Sequence, residues 1–256
     1  MLRELTKTDW LSILGVPEER IPNVLLLRGT RNLKLQYERH LPYFCNVMEI
    51  GCPIGIVEDV LIGDYAGHSV AYASVYGAAM ASEVVHLFGA LGTRLVIQTG
   101  CCGALADEIE TGDLVLPEEA YCGEGAAQYY KLDGRIATAS YPPSAVTAIA
   151  NSGDVSIHRG RLFTTAALLA EGAREIEDWH RQGWAAVDME TATTFAVAEH
   201  FGMHRLAILF AFDNPRKGRH ILLGHEEEVA RRQRGNERMI RLAFDLTRDY
   251  LASYSA

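Results

Sequence analysis

Three uninterrupted apolar runs constrain this chain more than any other feature: Val24-Leu25-Leu26-Leu27, Leu95-Val96-Ile97 and Leu206-Ala207-Ile208-Leu209-Phe210-Ala211. A strand that is apolar on both faces must be covered on both faces, the condition of an inner strand in a parallel sheet. Helical periodicity flanks these runs over residues 33–40, 78–91 and 226–250, with Gly92 as a stop after the second helix. Further strands are predicted over 54–62 and 69–75, around the turn Gly63-Asp64-Tyr65-Ala66-Gly67, and over 114–117, 161–165 and 184–187. Further helices are predicted over 8–14, 144–152, 168–180 and 191–201, while 133–140 reads as a loop or short strand. Strands alternating with helices predict an α/β fold with a largely parallel sheet.

The 256 residues suffice for one large domain with a buried core, and no repeat, low-complexity tract or linker divides them. A formal charge of −9 argues against nucleic acid or an anionic membrane as partner, so an anionic ligand must be met by a local cationic pocket. No apolar run approaches the roughly 18–20 residues that span a bilayer. The N-terminus lacks a secretory apolar region. Five cysteines without a Cys-x-x-Cys pair or zinc spacing predict reduced thiols and a cytoplasmic protein.

In open α/β sheets, ligands bind beyond the carboxyl ends of the strands. Three such ends carry chemistry here. In Val187-Asp188-Met189-Glu190-Thr191 a thioether lies between two carboxylates where a strand becomes a helix, an apolar platform flanked by acceptors. Acids also suit a helix N-terminus for the dipole alone. Gly100-Cys101-Cys102-Gly103 reads as a strand-to-helix turn stripped of side chains, where backbone can approach a ligand. Asp213 follows the third apolar run and precedes Asn214-Pro215, either a desolvated general acid or an Asx-type turn. Glu190 with Asp213 suggests the paired carboxylates of glycosidic cleavage.

Together these stretches resemble the nucleoside phosphorylase family, which includes bacterial purine nucleoside and uridine phosphorylases and the methylthioadenosine nucleosidases. The likeness rests on Val187-Asp188-Met189-Glu190-Thr191-Ala192, on Gly100-Cys101-Cys102-Gly103-Ala104-Leu105 followed by Thr111-Gly112-Asp113-Leu114-Val115, and on Phe212-Asp213. Gly160-Arg161-Leu162-Phe163 and the N-terminal Leu5-Thr6-Lys7-Thr8-Asp9 extend it over nearly the whole chain. The resemblance implies a single three-layer α/β/α domain around a mixed, largely parallel sheet. It implies cleavage of a nucleoside N-glycosidic bond without a cofactor, in a homo-oligomer of two to six chains. Carried over residue by residue, Glu190 accepts hydrogen bonds from ribose hydroxyls, Met189 packs under the sugar, and Asp213 protonates the leaving base. Arg232 is the match for an arginine beside that aspartate. Asp188, Tyr76, Gly100, Cys101, Gly103 and Leu168 complete the expected substrate site, with Leu168 where the family stacks an aromatic ring.

The anion half departs from the family pattern. Gly29-Thr30-Arg31-Asn32 lacks the arginine of the family's first phosphate loop, Gln98 replaces a second, and no Lys or Arg occurs between His40 and Arg94 to supply a third. Cys101 replaces a serine or threonine, and is a weaker hydrogen-bond partner. Gly29, Arg28, Arg31 and Gln98 are the remaining candidates for an anion site, with Lys34 nearby. Water and inorganic phosphate both remain open as nucleophile, phosphate being the candidate co-substrate. The other reading is a non-catalytic nucleoside- or nucleotide-binding protein on the same fold. His200 and His204 are read as a solvated helix end, and Cys101-Cys102 as apolar packing. Arg216-Lys217-Gly218-Arg219-His220 is either a loop over the pocket or a solvated turn.

Overall fold

The computed structural model describes residues 2–51, 55–131, 133–150, 156–218 and 226–253. Thr6 opens helix α1 (Lys7–Leu14) with a reciprocal capping box to Asp9, and Gly15 closes it in the left-handed conformation. The first apolar run forms β1 (Val24–Gly29), buried throughout, and α2 (Leu33–His40) follows it. Then come β2 (Cys45–Glu49), β3 (Val60–Tyr65), β4 (His68–Val75), α3 (Gly77–Leu91), β5 (Leu95–Ala104) and β6 (Leu114–Cys122). The chain continues through β7 (Ile136–Thr138), α4 (Pro143–Ala150), β8 (Ile157–Thr164), α5 (Ala173–Arg181), β9 (Ala186–Asp188), α6 (Thr191–His200), β10 (His204–Asp213) and α7 (Glu226–Ala252).

The ten strands of the described residues join one mixed sheet. Parallel pairings (β1 with β4 and β5, β10 with β5, β6 with β8, β8 with β9) are matched by as many antiparallel ones (β10 with β6, β2 with β3, β3 with β4, β5 with β9, β6 with β7). The sheet is therefore less parallel than the apolar runs alone suggest. It also closes on itself, since β5, β10, β6, β8 and β9 pair in a ring. One face packs Val24, Leu26, Ile97 and Ile208 against Met239, Leu242 and Leu246 of α7. The other packs Leu25, Leu27 and Val96 against Val84, Val85 and Phe88 of α3. Helices thus cover both faces, as a three-layer α/β/α arrangement requires. Among the described residues no helix is long and apolar enough to cross a membrane.

Several elements differ from expectation. The strand expected over 54–62 begins at Val60, and Ile54 lies outside the described residues. Residues 100–103 form no turn: β5 runs through them because β9 and β10 pair with that stretch from both sides. The helix expected over 168–180 divides into a 3-10 turn, Leu168–Ala170, and α5, with extended Gly172 between them. The end of the helix expected over 144–152 falls outside the described residues.

Candidate active site

Glu190 ends the β9 motif and is 7% exposed. Two glycines make room for its carboxylate. Gly77 (φ 79°), in a backbone conformation that a side chain would strain, donates its N–H to Oε1 at 2.7 Å. A Cβ on Gly29 would lie 2.9 Å from Oε2. Burial, and next the charge of Asp188, push the Glu190 carboxyl up to about 8, while the Gly77 N–H and Arg28 pull the other way. Met189 is half-buried and faces an open cleft of about 470 Å³ with Tyr76, Arg31, Leu168 and residues 166, 167, 169 and 170. Met189, Tyr76 and Leu168 are thus brought to one cavity.

Asp188 is placed elsewhere, which corrects its expected role in binding substrate. Its Oδ2 accepts from the Thr191 N–H (2.9 Å), the Thr191 hydroxyl (2.5 Å) and Gln98 Nε2 (3.2 Å), and its Oδ1 accepts from the Thr164 hydroxyl (2.7 Å). It is 5% exposed, inside the protein at the N-terminus of α6. Gln98 is corrected with it: fully buried, its amide donates to Asp188 and Thr191 and offers nothing to an anion in the cleft. The pair anchors the strand-to-helix junction that presents Met189 and Glu190.

Asp213 ends β10 and pairs in register with Gly103 of β5. A Cβ on Gly103 would lie 3.3 Å from Asp213 Oδ1 and 3.2 Å from Val187. Gly103 therefore serves the site by leaving space for the acid, and Gly100 packs close to the Gly29 carbonyl; neither forms the expected ligand-facing turn. Arg232 of α7 donates Nε to the Phe212 carbonyl at 2.6 Å and lies over the Phe212 ring at 4.1 Å, one residue before Asp213. Sequence reasoning missed Glu171. Burial, with the field of Asp213 adding to it, pushes this carboxyl up to about 7, and its Oε1 is buried without a protein partner.

The anion candidates separate. Arg31 lies at the cleft mouth over the Tyr76 ring (4.8 Å), and Lys34 is a solvent-exposed partner of Glu38. Arg28 is 4% exposed beneath the strand ends. The Cys101 side chain is exposed, yet protein encloses it closely enough for burial to push the thiol up to about 11 against the opposing pull of Arg28. The fields of Glu190 and Asp213 both reach that thiol. Arg216 is held by Asp107, Glu177 and the Leu105 carbonyl, while Arg219 and His220 lie outside the described residues. His200 packs against Tyr130 and Phe201, and the described residues contain no metal-ligand cluster.

The chain is 28% identical over 171 residues to a guanosine phosphorylase of Halorubrum lacusprofundi, covering 66% of this chain and 71% of that one. It is 27% identical over 194 residues to a DeoD-type purine nucleoside phosphorylase of a Geobacillus species, covering 72% and 77%. A crystal structure of uridine phosphorylase from Vibrio fischeri superimposes with a TM-score of 0.74 at 21% identity, over 94% of this chain and 95% of that one. The profile of the phosphorylase superfamily matches residues 51–248, a span that takes in β5, β9 and β10 with Cys101, Glu190 and Asp213. On that match the chain belongs to the phosphorylase superfamily.

Proposed function

We propose that this protein cleaves the N-glycosidic bond of a nucleoside, with Met189 and Glu190 holding the ribose and Asp213 serving the leaving base. The observation that carries the reading is that two carboxylates from different elements, each in space left by a glycine (Glu190 at Gly29 and Asp213 at Gly103), both act on the same residue, Cys101. As the bond stretches, positive charge grows on the ribose and negative charge on the base. A carboxylic acid placed at the base nitrogen relieves the latter, an effect typically worth about 10²–10⁴ in rate. Met189 supplies an apolar floor, and Glu190 accepts from the sugar hydroxyls. The guanosine, purine nucleoside and uridine phosphorylases among the relatives support the same substrate class. At least two copies assemble in the working protein, a reading supported by the exposed apolar side chains of Leu2, Ile56 and Tyr129 around a hollow that includes Trp10 and His86.

The test is release of free base from a panel of purine and pyrimidine nucleosides, with and without inorganic phosphate. Asp213→Asn is expected to lower kcat/KM by about 10²–10⁴ with little change in nucleoside affinity. Full turnover by that variant, or tight nucleoside binding with no base released by the unaltered protein, sinks the enzymatic reading and leaves a binding protein.

A further inference from the structure

A second hollow lies away from the cleft. It holds about 360 Å³, within the usual range of a small-molecule pocket, and no residue lines both it and the cleft at Met189. Helix α3 joins the two places without merging them. Its first residue, Gly77, donates to Glu190, whereas His86, in the wall of the hollow, lies more than two turns further on, about 13 Å along the helix axis. Separate elements supply the walls, and each supplies a ring: Trp10 from α1, His86 from α3, Tyr130 from just beyond the 3-10 turn Ala127–Tyr129, and His200 from the end of α6.

These rings meet edge to face and do not stack on one another. Trp10 meets His86 at 6.2 Å and 72°, His86 meets Tyr130 at 5.9 Å and 63°, and Tyr130 meets His200 at 5.6 Å and 76°. Walls set at such angles suit a further flat ring, which can stack on one wall and meet another edge-on. The polar groups are few. Trp10 is 3% exposed, and its indole N–H is buried without a protein acceptor, where a tryptophan so deep ordinarily has one. The Tyr130 hydroxyl pairs with His86 Nδ1 at 3.0 Å. Burial, followed by the fields of His200 and Arg3, holds the His86 imidazole below its ordinary value and therefore neutral at pH 7. At the exposed rim Arg3 and Glu83 carry opposite charges, so the rim offers no net charge to an ion.

We propose that this hollow is a second ligand site, remote from the cleft, for a neutral planar heteroaromatic ring, the class to which free nucleobases belong. A ring nitrogen or carbonyl at the edge of the occupant takes the Trp10 N–H, and its faces lie against His86 and Tyr130. An aromatic carboxylate fits less well, because its charge loses water and gains no net opposite charge at the rim. Naming a free base as the occupant rests on the nucleoside-cleaving reading, in which that base is the product released in the cleft. A second copy seated on the apolar rim would roof the occupant and leave the four rings as its walls.

The experiment titrates adenine, and separately uracil, into the full-length protein by calorimetry, with benzoate as a charged aromatic control, for the unaltered chain, Trp10→Phe and Tyr129→Ala. Base release from nucleosides is assayed on the same preparations. Trp10→Phe keeps a ring and drops the N–H, and is expected to weaken uptake of a base in the hollow about tenfold. Tyr129 lines the rim and is 71% exposed, so Tyr129→Ala spares the core. It is expected to weaken the same uptake at least about threefold, which keeps the test decisive if Trp10→Phe does not fold. Both variants are expected to keep kcat/KM for base release within about twofold. Binding of both bases that neither variant weakens overturns the proposal, since the bases then occupy the cleft alone. Benzoate bound as tightly as the bases, and weakened by the same variants, overturns the ligand class. No base released from any nucleoside, with base uptake still weakened in the variants, upholds the hollow as a site and sinks the cleavage reading instead.

Discussion

Glu190 sits in two opposed environments. The Gly77 N–H and the Arg28 charge favour its ionised form, whereas burial and the neighbouring Asp188 disfavour it more strongly, and its carboxyl is pushed up to about 8. A group whose folded pKa lies above its unfolded value binds more protons in the native state, so stability falls as pH rises between the two values. Here that window runs from the ordinary carboxyl value of 4.5 to about 8. Glu190→Gln removes the titration while keeping most of the shape. Urea unfolding at pH 5.5 and 8.5 is expected to show a smaller loss of stability with rising pH in the variant, by on the order of a few kcal/mol. Glu171 and Asp188, also raised by burial, leave a residual slope. An identical slope in both proteins would mean that Glu190 is already ionised at pH 5.5. Ribose hydroxyls donating to the ionised form should pull the pKa down, so nucleoside affinity is expected to rise across the same window.

At the scale of elements, the site depends on how α7 is seated. Arg232, Asn236 and Met239 follow one another at helical spacing, so one stripe of the helix reaches Phe212, Arg28 and Gly100. The seat is a contact between glycines: a Cβ on Gly235 would lie 2.6 Å from the Gly112 carbonyl, and one on Gly112 would lie 2.5 Å from the Arg231 carbonyl. Gly235→Ala therefore cannot be absorbed by a rotamer change and must lift the helix. The expected result is a loss of about 1–3 kcal/mol in stability together with a fall in kcat/KM, read from thermal unfolding and base release on the same preparation. Unchanged kinetics would show that the stripe does not position the site. The same scale separates what was legible in the sequence from what was not. Apolar runs and helical periods disclosed β1, α2, α3, β10 and α7 because their burial is written in side-chain polarity. The edge strand β2, Cys-Asn-Val-Met-Glu and mostly exposed, has no such pattern. Gly100 to Gly103 looked like a turn because pairing from both flanks is a tertiary fact. Met189, Glu190 and Asp213 stand out as candidates in the sequence because each lies at or just beyond the end of a recognisable strand. The burial of Glu171 and the field of Asp213 upon it arise only in the folded chain, as do Asn236 and Met239 as the neutral hydrogen-bond partners of Arg28.

Across the whole molecule, the net negative charge opposes the approach of any anion. The chain carries a formal −9, and Arg28 lies beneath the surface and does not line an approach. A protein that recruits an anion through a cationic funnel loses association rate as salt is added, because screening removes the attraction. The opposite is expected here. At about 0.01 M ionic strength the Debye length is about 30 Å and phosphate feels the net negative field; near 0.1 M it is about 10 Å, and only the groups around the cleft are felt. Where base release requires phosphate, and with phosphate limiting and nucleoside saturating, the apparent second-order rate constant is expected to hold or to rise on the order of twofold over that range. A bulky, weakly coordinating anion is needed as the added salt, so that competition with phosphate does not mask the effect. A rate that falls steeply with salt would instead locate the recruiting charge on the surface, with Arg31 at the cleft mouth as the residue to substitute.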